Sequence, residues 1–159
     1  MSEAGEGEGG RKRRSGRPPA ASPERAALLS RVRRTRTAAE EEVARRLRAL
    51  GLHYRRNVRA LPGSPDFANR RRGWAIFVNG CFWHHHTACV RAAVPKNNRD
   101  FWVEKFAANR RRDAEKIRRL RRLGFTVLVI WECRLDRCDD RLARLAERIG
   151  GTASTRGSR

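Results

Sequence analysis

The positions of apolar residues along the chain predict three helices. After Thr37, a residue suited to cap a helix, apolar side chains recur at helical spacing as far as Gly51, the expected C-cap. A second, longer helix is predicted from a cap at Asp100 to about Leu123, and a last one over residues 139–149. One side of the long helix carries the apolar residues and is expected to be buried.

Four shorter apolar or alternating stretches predict β-strands at residues 53–60, 66–68, 74–78 and 126–131. The last is the most apolar stretch of the chain and is expected to be a buried strand. Turn residues join the first three strands, which are therefore expected to be antiparallel, whereas a helix precedes the fourth. The order α-β-β-β-α-β-α predicts an α/β fold with a mixed four-stranded sheet flanked by helices.

The two ends of the chain differ in composition from this middle part. Residues 1–24 are mainly Gly, Glu, Arg and Pro, and residues 150–159 are also poor in apolar side chains. Such segments bury too little surface to offset the entropy lost on folding. We therefore expect a disordered basic tail at 1–24, one folded domain at 25–149 and a flexible tail at 150–159.

The net charge indicates the kind of partner. Lys and Arg number 38 against 17 Asp and Glu, which gives a formal net charge of +21. A coding bias toward Arg is the alternative explanation of this excess, but so many like charges repel one another unless an anion is near. Nucleic acid is therefore the expected partner. The sequence contains no apolar run that spans a bilayer and no secretory signal, so we expect a cytoplasmic protein that makes no membrane contact.

Residues 77–89 combine metal ligands with large aromatic side chains. Three thiolates and one imidazole form a closed tetrahedral zinc site, and these soft ligands favour zinc over magnesium. The predicted ligands are Cys81, His86, Cys89 and Cys133. Cys138 is the alternative for the fourth position and His85 for the histidine. A loop closed in this way would hold Phe82 and Trp83 outward, as stiff wedges that fit between DNA bases.

A second set of polar residues suits phosphodiester hydrolysis. Asp66 begins a strand directly after a turn, where its carboxylate can hold Mg²⁺ near a phosphate. His84 can take up or release a proton, and Glu40 is expected to orient its imidazole. Asp113 falls on a further element around the same sheet. An Asp after Pro is more often a turn residue, and acids are common in a first helical turn, so the hypothesis depends on all four residues together.

Several motifs, in this order along the chain, resemble the very short patch repair (Vsr) DNA mismatch endonucleases. The most specific are Gly-Cys-Phe-Trp-His at 80–84, Phe-Trp at 101–102 and Trp-Glu-Cys at 131–133, within a resemblance that extends over about 30–149. It implies a restriction-endonuclease-like fold and a double-stranded DNA substrate. It also implies a nick beside the T of a T:G mismatch, such as deamination of 5-methylcytosine leaves.

The same resemblance implies roles for individual residues. Asp66 and the backbone carbonyl of Val78 would bind the catalytic Mg²⁺. His84 would be the acid/base group, supported by Glu40, and Asp113 would contribute to the same metal and water network. The Cys₃His set would bind a structural Zn²⁺.

DNA contacts are expected from aromatic and basic side chains. They are Phe82, Trp83, Trp102, Arg31, Arg33, Lys96 and Lys105. The three aromatics would insert beside the mismatch, where opening a base step costs least. Phe101, next to Trp102, is the better candidate for the core.

Two positions depart from the pattern of these enzymes. Asn79 stands where relatives often carry His or Asp, and Asn cannot exchange protons; Arg36 stands where Asp is common. Two other functions therefore stay open: a non-catalytic zinc-containing binder of distorted DNA, and a nuclease of the same fold that restricts matched DNA. Because one nick needs one active site, we expect a monomer. The family's link to mismatch repair makes mismatch-repair proteins the candidate partners.

Overall fold

The computed structural model describes residues 36–151 of the 159-residue chain. The predicted order of elements is confirmed there, with two 3₁₀ turns added, at Val90–Ala92 and Glu132–Arg137. None of the helices in this range is long and apolar enough to cross a membrane. In chain order the elements are α1 (Ala38–Ala49), β1 (Arg55–Arg56), β2 (Phe67–Asn69), β3 (Trp74–Asn79), α2 (Arg99–Arg122), β4 (Thr126–Trp131) and α3 (Asp139–Gly151).

Some predictions lie outside the described residues. They are the disordered tail at 1–24, the DNA contacts of Arg31 and Arg33, and most of the tail at 150–159. α3 continues to Gly151, so its end overlaps the start of that second tail.

The sheet has the mixed topology that the element order predicts. Its strands lie in the order β1-β2-β3-β4, with the first two pairs antiparallel and β3 parallel to β4. The register of the parallel pair runs from Trp74 opposite Thr126 to Asn79 opposite Trp131. A parallel neighbour cannot be reached through a tight turn, and α2 supplies the crossover.

Helices cover both faces of the sheet. Along β3, Trp74 and Ile76 belong to one buried cluster, which also contains apolar residues of α1 and α3. Ala75 and Phe77 belong to a second cluster, with Leu120 of α2. This alternation follows from the two-residue repeat of a strand, and it places α2 on the opposite face from α1 and α3.

The sequence around Thr37 explains where α1 begins. The Thr37 hydroxyl accepts a hydrogen bond from the N–H of Glu40 at 3.2 Å, and the Glu40 carboxylate accepts one from the N–H of Arg36 at 2.9 Å. The Thr37 bond is that of a capping box, but Glu40 accepts from the residue before the N-cap and not from the N–H of Thr37 itself. At the other end the C-cap is Leu50, one residue before the predicted C-cap Gly51, which follows it at φ +65°.

The first predicted strand is much shorter than expected. Of residues 53–60 only Arg55–Arg56 pair as a strand. Asn57 takes a φ of +48°, which turns the chain, and the partner of Val58 is the carbonyl of Pro65. Since proline has no N–H, the ladder cannot continue past this point.

Two further local predictions are corrected. β4 is not a fully buried strand: only Ile130 is buried, because β4 forms one edge of the described sheet. α2 is capped by Asn98 at φ +54°, and Asp100 lies in its first turn instead of at its cap.

Candidate active site and metal centre

The parallel register of β3 and β4 brings two distant cysteines together. Asn79 and Trp131 are the last pair of that register, so Cys81 and Cys133 each lie two residues beyond it. Glu132 fixes this end of the sheet, because its Oε1 accepts a hydrogen bond from the N–H of Cys81 at 2.9 Å. The loop that follows β3 then brings His86 and Cys89 back to this end of the sheet.

That return forms a four-donor cluster, which consists of Cys81, His86, Cys89 and Cys133. Its donor atoms all lie within 4.8 Å of one another. The Nδ1 of His86 is 3.2 Å from the Sγ of Cys133 and 3.6 Å from the Sγ of Cys81. Thiolates bound to one tetrahedral zinc ion at about 2.3 Å would be about 3.8 Å apart. The spacing and the chemistry of the donors therefore fit a metal of this kind.

The structure separates the two alternatives from this cluster. Cys138 is buried in the core cluster that contains Leu142, away from the four donors. The His85 ring stacks on Phe106, with ring centroids 4.6 Å apart, whereas His86 is a member of the cluster and stacks on Trp131 at 4.1 Å. Burial, together with a hydrogen bond to Cys133, raises the pKa of the Cys81 thiol to about 12.

Asp66 lies at the start of β2 and is anchored to β3. Its Oδ2 accepts a hydrogen bond from the N–H of Val78 at 2.7 Å. Burial raises the pKa of the Asp66 carboxyl, and the nearby charge of Glu40 adds to that effect. The Val78 N–H and the charges of Lys116 and His84 act in the opposite direction. A carboxylate that is desolvated beside a second carboxylate is a suitable ligand for a hard cation.

His84 forms a pair with Asp113 of α2. Its Nδ1 lies 2.6 Å from the Asp113 Oδ2, and the other oxygen of Asp113 binds the Nζ of Lys116 at 2.8 Å. Burial favours the neutral form of Asp113, but the bonds from His84 and Lys116 prevail and lower its pKa. A carboxylate on Nδ1 leaves Nε2 as the ring nitrogen that can exchange a proton with a substrate.

The predicted role of Glu40 as the residue that orients His84 is wrong. Asp113 holds that position, and the Glu40 carboxylate is bound by Arg36 and Thr37 at the start of α1. Glu40 is nonetheless only 6% exposed, and its negative charge helps to raise the pKa of Asp66. It therefore belongs to the surroundings of Asp66, not to those of the imidazole.

The aromatic residues form one cluster around Phe82. Its ring lies 5.1–5.3 Å from those of Trp83, Trp102 and Phe106. Trp83 is 39% exposed, whereas Trp102 is only 9% exposed. The expectation that Phe101 would be the core residue is thus wrong, because the phase of α2 turns Trp102 inward and leaves Phe101 half-buried.

The remaining predicted residues lie at the margins of these groups. Lys96 is exposed in the loop before α2 and Lys105 is half-buried on α2. Asn79, at the end of β3, is only 4% exposed.

Sequence reasoning missed three residues that support the site. Lys116 binds Asp113, Glu132 binds the Cys81 backbone, and the Asn109 side chain donates to the Trp83 carbonyl at 2.8 Å. The three-residue spacing of Asp113 and Lys116 on a helix was a signal for Lys116, and the Trp-Glu-Cys motif at 131–133 contains Glu132 without indicating its role.

Comparisons with known proteins show which family the chain belongs to. A family model described as DNA mismatch endonuclease Vsr matches residues 20–91. The type II nicking enzyme V.NmeAIP of Neisseria meningitidis serogroup A is 39% identical over 102 residues, which cover 62% of this chain and 72% of that protein.

Two further relatives extend the comparison. The DNA mismatch endonuclease Vsr of Escherichia coli K12 is 44% identical over 99 residues, 62% of this chain and 63% of that protein. The type II nicking enzyme V.XorIIP of Xanthomonas oryzae pv. oryzae is 40% identical over 115 residues, 72% of this chain and 84% of that protein. With identities of this size over more than two thirds of two relatives, the chain belongs to the Vsr family of DNA mismatch endonucleases.

Proposed function

We propose that this protein is a Mg²⁺-dependent endonuclease that nicks one strand of double-stranded DNA beside the T of a T:G mismatch. One juxtaposition carries the proposal. Asp66, held by the N–H of Val78, lies near enough to His84 for the imidazole to influence its pKa. His84 is itself held by Asp113, so a cation ligand and an oriented acid/base group share one site.

Family membership supports the coarser part of this function. As a Vsr-family protein the chain is an endonuclease that nicks DNA, in line with relatives named as a mismatch endonuclease and as nicking enzymes. The fold proposed for it is the restriction-endonuclease-like fold, which the mixed sheet with helices on both faces supports.

Each residue of the site has a chemical role in the proposed reaction. The Asp66 carboxylate and the Val78 carbonyl would hold Mg²⁺, with the buried Glu40 nearby. When bound, the ion would polarise the phosphate and lower the pKa of an attacking water. His84 moves the proton through Nε2, because Asp113 occupies Nδ1 and stabilises the protonated ring.

Mismatch recognition is assigned to the aromatic cluster. Trp83 is partly exposed already, whereas Trp102 would have to leave its neighbours in order to enter the duplex. Unstacking costs least where a base pair is already mismatched, so insertion of these rings favours a T:G site. Lys96, Lys105 and the N-terminal Arg31 and Arg33 would contact phosphates.

The Cys₃His cluster is proposed to hold a structural Zn²⁺. A closed set of four protein ligands cross-links the loop after β3 to the end of β4, and it leaves no position for a reacting water. The cross-link would fix the loop that carries both Phe82 and His84.

The wider setting is also a proposal. A nick on one strand requires one active site, so the protein is proposed to act as a monomer on bacterial DNA in the cytoplasm. Proteins of mismatch repair are the candidate partners, because the family that the chain belongs to is linked to mismatch repair.

The first prediction concerns the substrate. With Mg²⁺ and an end-labelled duplex that carries one T:G mismatch, a nick is expected on the T strand only, detected on a denaturing gel. The matched C:G and T:A parents should stay intact, and Asp66→Ala should remove the activity. Cutting of the matched duplexes would indicate a restriction nuclease. Tight binding without a cut would indicate a non-catalytic binder and draw attention to the buried Asn79.

The second prediction separates the activity of Asp66 from its effect on stability. The folded protein raises the pKa of Asp66, so it binds that proton more tightly than the unfolded chain does, and ionisation at higher pH costs stability. Asp66→Asn is therefore expected to raise the melting temperature by an amount that is small at about pH 4 and grows as rising pH ionises Asp66 in the folded wild-type protein. Nicking should fall on the order of a hundredfold or more.

The control for that prediction is Asp136→Asn, since the Asp136 side chain is 73% exposed. Its melting temperature should follow the wild type at every pH. A loss of stability in Asp66→Asn at about pH 8 would contradict the assignment of Asp66 as a desolvated carboxylate.

The third prediction concerns the metal. One zinc ion per chain is expected by elemental analysis, and Cys89→Ser should lose it. The matched control Cys138→Ala should keep the zinc ion, because Cys138 packs in the core and is not one of the four donors. Zinc affinity should weaken in acid, since the thiols must lose their protons to bind. Retention of zinc by Cys89→Ser together with its loss in Cys138→Ala would refute the assigned ligand set.

A further inference from the structure

Lys116 is the least expected member of the site. Only four of the 38 basic residues of the chain are lysines, and α2 otherwise relies mainly on arginine for its positive charge. The Lys116 and Asp113 side chains are only 18% and 17% exposed, so this ion pair is shielded from solvent, unlike the surface pairs of the same helix.

Lys116 is held by more than its partner carboxylate. Its Nζ lies 4.2 Å from the centre of the Phe77 ring, a distance at which a cation and an aromatic face attract. Its aliphatic part passes so close to Gly63 that a Cβ there would lie 2.5 Å from the Cδ of Lys116. Gly63, at φ +76°, belongs to the turn that leads into Asp66.

These contacts join three parts of the site. The turn before β2 leads to Asp66, Phe77 precedes Val78 on β3, and Asp113 holds His84. A carboxylate can rotate about its last bond unless both oxygens are engaged. Lys116 engages Oδ1, which leaves Oδ2 directed at the imidazole.

We propose that Lys116 is a positioning residue for the nicking reaction: it fixes the Asp113 carboxylate so that His84 keeps Nε2 directed to the reacting phosphate. The inference rests on the proposed function and adds a residue to it. A lysine suits the position better than an arginine, because a compact ammonium on a slender stem fits between Gly63 and Phe77, whereas a guanidinium is broader.

The role is tested by separating chemistry from binding. Lys116→Met keeps an unbranched apolar stem but removes the charge. Its single-turnover nicking rate on saturating T:G duplex is expected to fall on the order of tenfold or more, with the Kd for DNA changed less than about threefold. The control Arg118→Met removes a charge from the exposed face of the same helix and should leave the single-turnover rate unchanged. An unchanged rate in Lys116→Met would overturn the proposal.

Two further variants distinguish position from charge. Lys116→Arg keeps the positive charge, but its single-turnover nicking rate is expected to stay close to that of Lys116→Met. Lys116→Ala should regain part of its rate with ethylammonium but not with tetramethylammonium at equal ionic strength, since only the former can donate a hydrogen bond to Asp113. Equal responses to the two cations would overturn a specific role for the ammonium group.

A readout independent of catalysis separates this inference from the proposed function. In the DNA-free protein, NMR should show a downfield proton for the His84 Nδ1–H bound to Asp113, assigned by its absence in His84→Asn. The signal is expected to broaden in Lys116→Met as the pair loosens. An unaltered signal would refute positioning by Lys116, whereas a wild-type protein that shows the signal but nicks no DNA would refute the proposed function alone.

Discussion

The parallel pairing of β3 with β4 is the constraint on which the rest of the site depends. Its register ends at Asn79 opposite Trp131, so the two chain segments that leave the sheet here carry Cys81 and Cys133 at equal distance. A slip of one residue would turn every side chain of one strand to the opposite face, with a large loss of burial on both sides of the sheet. The hydrophobic core therefore specifies the geometry of the four-donor cluster.

The crossover that makes this pairing possible also supplies residues of the candidate active site. α2 connects β3 to β4 and lies on the face opposite α1 and α3. From that position it brings Asp113 to His84 and packs Trp102 against Phe82. The four-donor cluster, the His84–Asp113 pair and the aromatic cluster are thus consequences of one βαβ connection.

Prediction from the sequence succeeded where the signal was local. The predicted metal donors Cys81, His86 and Cys89 lie within nine residues of the sequence and come together in the structure, and the apolar runs predicted the order of strands and helices. Cys133 was predictable because it directly follows a strong strand pattern. The mixed sheet then followed from the positions of the turns and of the crossover helix.

Prediction failed where the answer depends on packing between distant elements. Whether Glu40 or Asp113 reaches His84 depends on how α1 and α2 sit on the sheet, which no local pattern encodes. Neighbouring residues on a helix point about 100° apart, so a small error in the phase of α2 exchanges Trp102 for Phe101 as the buried residue. The edge position of β4 was missed because an apolar run does not reveal whether one or two strands flank it.

In the proposed function, a metal bound by the Cys₃His cluster links the ends of β3 and β4, and its role is to organise His84 and Phe82 without building the core. The most direct test of this role is the nicking rate of Cys133→Ser on the T:G duplex, measured beside its far-UV circular dichroism. The account predicts a native-like spectrum with a rate reduced on the order of a hundredfold, since His84 and Phe82 lie on the released loop. A wild-type rate in a Cys133→Ser protein that is free of metal would contradict it.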